Sequence, residues 1–210
     1  MKRALIVGWL LILVLPVAGQ GDYQRVLSDR ADKIVRTLTI TDSLKYGRVR
    51  SILVSQYAAL GKIHDQSDAR VKAIKASAKS RAEKDSLATL VEAERNAALY
   101  QLHCAFVASL YGELSHEQVE AVKNGMTYNV LNVTYKAQLE MIPRLTDEEK
   151  RQIYTWLLEA REHAMDAASS EAKHGWFGKY KGRINNYLSA RGYDLNKERA
   201  DWNERLKLKK

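Results

Sequence analysis

GWFGKYKGRINNYLSARGYDL, running from Gly175 to Leu195, decides what kind of element this chain is built from. Tyr180, Ile184, Tyr187 and Leu188 recur at i, i+4, i+7 and i+8, which is one face of an α-helix. Lys179, Arg183 and Asn186 fall on one flank of that apolar stripe, and Lys181 and Asn185 on the other. The spacing predicts a short helix ending at Arg191. Gly192 then stands where a left-handed residue is wanted, and Tyr193 can fold back onto Leu188.

The same periodicity continues outward in both directions. On the C-terminal side, Asp194 can cap a last helix whose face is Leu195, Trp202 and Leu206. On the N-terminal side, Ile153, Trp156, Leu157, Ala160, Ala164 and Ala167 form one face of a helix over 150–170, and its alanines permit close helix approach. Leu114-Ser115 with Gln118 and Leu145-Thr146 with Glu149 are two capping boxes, 31 residues apart. Between them, Gly125–Thr134 is β-leaning and reads as an extended connector to a helix that ends near Pro143. Leu87, Leu90, Val91, Ala98, Leu102, Phe106 and Leu110 predict a central buried helix. Cys104, beside Ala105 and Phe106, is expected to be a buried, inert thiol. Farther back, Thr41 or Asp42 can cap a helix carrying Val49, Ile52, Leu53, Tyr57, Leu60 and Ile63, and Leu27, Ala31, Ile34, Val35 and Leu38 mark a first one. The alanine-rich, charged run from Asp65 to Asp85 reads as the protruding part of a long helical hairpin, with a flexible charged linker as the other reading.

With 210 residues, 46% apolar content and only two prolines, one ordinary core is expected. The fold class is therefore all-α, a single domain of about six helices. Residues 1–19 read as a signal peptide, since Lys2 and Arg3 precede an apolar run from Ala4 to Leu15 and small residues lead to a cleavage point before Gln20. An uncleaved anchor is the alternative. No membrane span is expected after cleavage, and the chain is expected to be exported to the periplasm or cell surface. Residues 20–210 are the domain. Its charge is uneven: 20–172 carries 21 basic and 21 acidic residues, whereas the C-terminal segment 173–210 carries 11 and 4. Six of the 17 aromatics lie in that segment as well.

GKYKGRINNYLSARGYDL, preceded by Lys173 and His174, resembles the signature of a secreted family known as domain of unknown function 3826. The resemblance extends back through MIPRLTDEEKRQIYTWLLEAREHAMD to about Tyr57. It implies a bacterial protein that accompanies polysaccharide-utilisation systems. The family has no established catalytic residues, so the resemblance supplies no catalytic assignment.

The constellations of polar residues rank unevenly. Glu159, His163 and Asp166 at i, i+4 and i+7 share a face that could hold a divalent cation, but no second histidine completes the motif, so no metal is predicted. His64, Asp65 and Asp68 read as a polar hairpin corner. No glycine-rich loop follows a strand and no nucleophile elbow is present, so no cofactor is predicted and the catalytic residues, if the chain is an enzyme, are open, with carboxylates such as Glu159 and Asp166 or Glu148 as candidates. Asp42-Ser43-Leu44 and Asp85-Ser86-Leu87 resemble a periplasmic O-glycosylation pattern and equally read as polar helix starts. The basic, aromatic C-terminal segment is the candidate binding surface, through Trp176, Lys179, Lys181, Arg183, Asn185 and Asn186. Cations flanking rings suit an anionic polymer. Export argues against nucleic acid, leaving an acidic glycan or a protein as partner. A non-enzymatic accessory protein of polysaccharide use is the leading reading. The alternatives are a periplasmic chaperone-like protein, from the resemblance of the two capping boxes to the L-T-x-x-Q motif of helical stress chaperones, and a carbohydrate-active enzyme.

Overall fold

The computed structural model describes residues 18–208 and contains, among them, eight α-helices, one 3-10 helix and no strand. The signal peptide reading lies almost wholly outside these residues. Helix α1 (Ala18–Val35) runs through the 3-10 helix Arg36–Leu38 into Thr39, whose left-handed φ of 51° turns the chain. Asp42 then accepts from the backbone N–H groups of Leu44 (2.8 Å) and Lys45 (3.2 Å) and starts α2 (Ser43–Ala76). A capping box of Ser80 and Glu83 starts α3 (Arg81–Tyr111), so α2 and α3 form the expected long hairpin. Past Leu60, α2 buries only Ser67, which is why its distal half projects.

Three expectations need correction. Helix α3 is an outer member and not the central one: it buries Val91, Phe106 and Leu110, while Leu90 is 52% exposed. It packs mainly on α2, so one face is covered and the other is left to solvent. Cys104 falls on that open face and is exposed. The Gly125–Thr134 stretch is not extended. It ends α4 (His116–Met126) and begins α5 (Val130–Met141), and only the turn between them, with Tyr128 and Asn129 at φ 56° and 57°, leaves the helical region. Burial of Leu131 and Met141 outweighs the β-branched residues' weak helix propensity. The helix expected to end near Pro143 thus begins inside this stretch, and the helices number eight among the described residues in place of about six.

Helix α6 (Asp147–Met165) packs on α4, α5 and α7 and buries Ile153, Leu157, Ala160, Arg161, Ala164 and Met165. Helix α7 (Ser170–Ala190) lies along it and starts nine residues before Lys179, because Lys173 and Phe177 extend the buried stripe of Tyr180, Ile184 and Leu188. The stop is as predicted: Gly192 has φ 88°, its N–H reaches Ser189 O at 3.0 Å, and Tyr193 N–H reaches Leu188 O at 3.2 Å. Asp194 caps α8 (Leu195–Lys207).

Two apolar clusters result. One joins α1–α4 and includes Met165; the other joins α5–α8 and takes in the rest of the α6 face. The C-terminal half of α6 lies at the seam between them.

Candidate binding site

The seam is polar. Arg161, 2% exposed, forks onto Glu120 (Nη1–Oε2 2.8 Å, Nη2–Oε1 3.1 Å) and also donates to Asn124 Oδ1 at 3.0 Å and Glu162 Oε1 at 3.1 Å. Such a bidentate pair fixes α6 against α4 with geometry that a lysine cannot copy. Glu162 Oε2 accepts from Lys123 Nζ at 3.0 Å and lies 3.3 Å from His103 Nε2. His103 Nδ1 lies 2.8 Å from Asp166 Oδ2. With a carboxylate on each ring nitrogen, His103 donates twice and is an imidazolium. Those bonds, Asp166 first and Glu162 second, raise its pKa to about 9. Burial works to raise the Glu162 pKa, but His103, Lys123 and Arg161 bring it down to about 2.

This cluster floors a cleft of about 650 Å³ between the hairpin and the α6–α7 pair. The α2 and α3 side supplies His64, Asp68, Arg95, Asn96 and Tyr100, and Tyr100 is 71% exposed. The other side is Trp176, which stacks on His163 with ring centroids 4.3 Å apart and planes 14° from parallel. His64 Nε2 lies 2.8 Å from the Asp166 carbonyl oxygen, tying the hairpin to the end of α6. Among the described residues, two buried polar atoms of the cleft residues have no hydrogen-bond partner: Asp166 Oδ1 and Arg95 Nε.

The region that builds this cleft lies within residues 24–208, which match the family described as "Protein of unknown function (DUF3826)". The chain belongs to the DUF3826 family. A search of curated proteins finds no match.

In this DUF3826 chain the predicted binding residues divide between two flanks of α7. Trp176, Lys179, Arg183 and Asn186 follow one stripe, and only Trp176 of these lines the cleft. Lys179 Nζ sits 5.0 Å from the Trp176 ring centroid, at the cleft's edge. Arg183 lies over Trp156 at 4.6 Å and pairs with Glu159 at 3.6 Å. Lys181 and Asn185 occupy the opposite flank, so the six residues do not form one patch. Glu159, His163 and Asp166, which share a helix face in sequence, each turn to a different partner: Arg183, Trp176 and His103.

The sequence did not single out His103, Glu162, Arg161 or Arg95. One signal was available: Arg161 lies one residue from Ala160 on the apolar side of α6, a position where an arginine is buried only with partners. The partners are 41 residues away in sequence for Glu120 and 63 for the His103–Asp166 pair, so their meeting is a product of the fold.

Proposed function

We propose that this DUF3826 protein is an exported, non-enzymatic accessory protein of polysaccharide use, and that it takes an acidic saccharide in the cleft between the hairpin and α6–α7. The observation that carries this reading is a cleft of about 650 Å³ that presents the Tyr100 and Trp176 rings beside Arg95, Asp68 and His64. A sugar hydroxyl can accept from an arginine N–H and donate to a carboxylate at once. Aromatic rings offer the apolar faces that the C–H surface of a pyranose covers. Arg95 and Lys179 supply cations for a carboxylate substituent.

The electrostatics favour binding over turnover. Glycoside hydrolysis needs a carboxyl group held protonated to act as acid. Glu162, with its pKa near 2, is ionised at neutral pH and already engaged by His103 and Lys123. The ground for a chaperone reading also weakens, since both boxes serve as helix caps: Ser115 Oγ accepts from Gln118 N at 3.3 Å and Thr146 Oγ1 from Glu149 N at 3.2 Å.

Affinity electrophoresis of the mature chain through gels containing pectic, alginate and neutral polysaccharides tests this. Retardation by an acidic polysaccharide is expected, and Trp176→Ala should weaken it roughly tenfold or more while leaving the helical circular dichroism intact. Equal mobility in every gel, or retardation unchanged by Trp176→Ala, would defeat the proposal. Release of shorter oligosaccharides would replace it with an enzymatic one.

A further inference from the structure

On the other side of the Ala167–Ser169 connector lies a second pocket, also of about 650 Å³, bounded by α1, α2, the α4–α5 turn and the start of α7. Lys173 lines it and is only 8% exposed. Its ammonium donates to the carbonyl oxygens of Met126 (3.0 Å) and Met165 (3.3 Å), the last residues of α4 and α6. Those carbonyls hold the cation with the partial negative charge of two helix ends, and they leave its third donor without a hydrogen-bond partner among the described residues. Among the described residues, no acidic side chain forms an ion pair with Lys173 Nζ.

The surroundings add positive charge. Arg30 and Lys33 reach the pocket from α1, and neither forms an ion pair among the described residues. Ser169, the N-cap of α7, and Ser170, its first residue, also line the wall. Tyr57 and Tyr128 contribute phenol groups, and burial raises the Tyr57 pKa to about 12, so it is a neutral donor. Against three cations stands one carboxylate, Asp65, with His64 beside it. Burial in this setting lowers the Lys173 pKa to about 8, with Asp166 acting to raise it and Arg30 to lower it.

Two glycines let α1 side chains approach closely at the pocket wall. A Cβ at Gly61 would stand 2.7 Å from the Tyr23 hydroxyl, and one at Gly125 would stand 3.0 Å from Ile34 Cγ1. Both glycines line the pocket, and they set how near α1 approaches α2 and α4 there.

We propose that this pocket is an oxyanion site, binding the carboxylate of a small sugar acid or an inorganic tetrahedral anion between Lys173, Arg30, Lys33 and the first turn of α7. The site is separate from the cleft and stands or falls independently of saccharide binding there. A planar or tetrahedral oxyanion meets these features at once: it offsets the excess of cations, accepts from the third ammonium donor, and can be reached by the two exposed side chains from α1.

The test is thermal unfolding of the mature chain against sodium phosphate, sodium sulfate and sodium D-galacturonate, with sodium chloride matched for ionic strength. A saturable rise in Tm is expected with at least one oxyanion and not with chloride. Phosphate or sulfate acting alone identifies the inorganic ligand, and galacturonate acting alone identifies the sugar acid. The double variant Arg30→Gln, Lys33→Gln changes only exposed side chains and should weaken the effect roughly tenfold or more. Lys173→Met should abolish it, and where that variant fails to fold the α1 variant decides. A rise no greater than chloride gives, or one that the α1 variant leaves untouched, overturns the proposal.

Discussion

His103 is the residue whose ionisation is coupled most directly to the fold. Its folded pKa, about 9, stands above the ordinary imidazole value near 6.5, so the stabilisation it brings is complete below about pH 6.5 and is lost as pH rises through about 9. Glu162 has the opposite sign: its folded pKa of about 2 makes its contribution present above about pH 4.5 and lost as pH falls toward 2. Lys173, lowered to about 8, is a charge that folding disfavours, so its penalty is relieved between about pH 8 and 10.5 and partly offsets the His103 loss. Urea titrations at stepped pH should therefore show stability falling between pH 6.5 and 8, before Lys173 begins to compensate. In His103→Gln that fall should be reduced by about 1–2 kcal/mol. A wild-type slope unchanged by the substitution would remove His103 from the account. None of this was legible in the sequence, because a histidine on α3 meets a carboxylate on α6 only after both helices have packed.

At the scale of elements, local chemistry was much easier to read. Asp42, Ser115, Thr146 and Asp194 are caps, and Gly192 takes the left-handed conformation, because each of these jobs depends on residues within about a turn of one another. The errors came where tertiary burial decides. The Gly125–Thr134 stretch carries β-branched residues yet is mostly helical, since α5 buries its apolar side against α6. Leu87–Tyr111 is periodic but covered on one side only, leaving Cys104 and Leu90 outside. Gly125 gives this scale its test. It sits on α4 where α1 crosses closest, and an added Cβ would press on the Ile34 side chain, itself in the core. Gly125→Ala would gain about 1 kcal/mol of helix propensity on its own. Overpacking against Ile34 costs about 1–3 kcal/mol, so a net loss of stability is expected in urea unfolding. A variant more stable than wild type would show that α1 is free to shift.

For the whole molecule, the organising feature is the seam between the α1–α4 and α5–α8 clusters. Apolar side chains fill each half, while Arg161, Glu120, Glu162, Lys123, His103 and Lys173 are collected where the halves meet. Buried charges are held there by ion pairs or hydrogen bonds, and breaking a buried pair commonly costs about 3–5 kcal/mol, so these contacts help to fix how the two halves meet. The cleft and the oxyanion pocket both open along it, sharing His64, Ala167 and Ala168 as their partition. The sequence placed the odd charge and aromatic content in 173–210 and so pointed to α7. It could not show that, of the six named residues, Trp176 alone lines the cleft beside the hairpin, because that depends on how α7 lies against α6 and the hairpin. The most direct measurement is a heteronuclear NMR titration of the mature chain with an oligosaccharide of the polysaccharide that retards it. The account predicts saturable shifts at the Trp176 indole N–H, the Arg95 Nε–H and the His103 ring. Shifts confined to Lys181, Asn185 and α8, with those three signals unmoved, would contradict it.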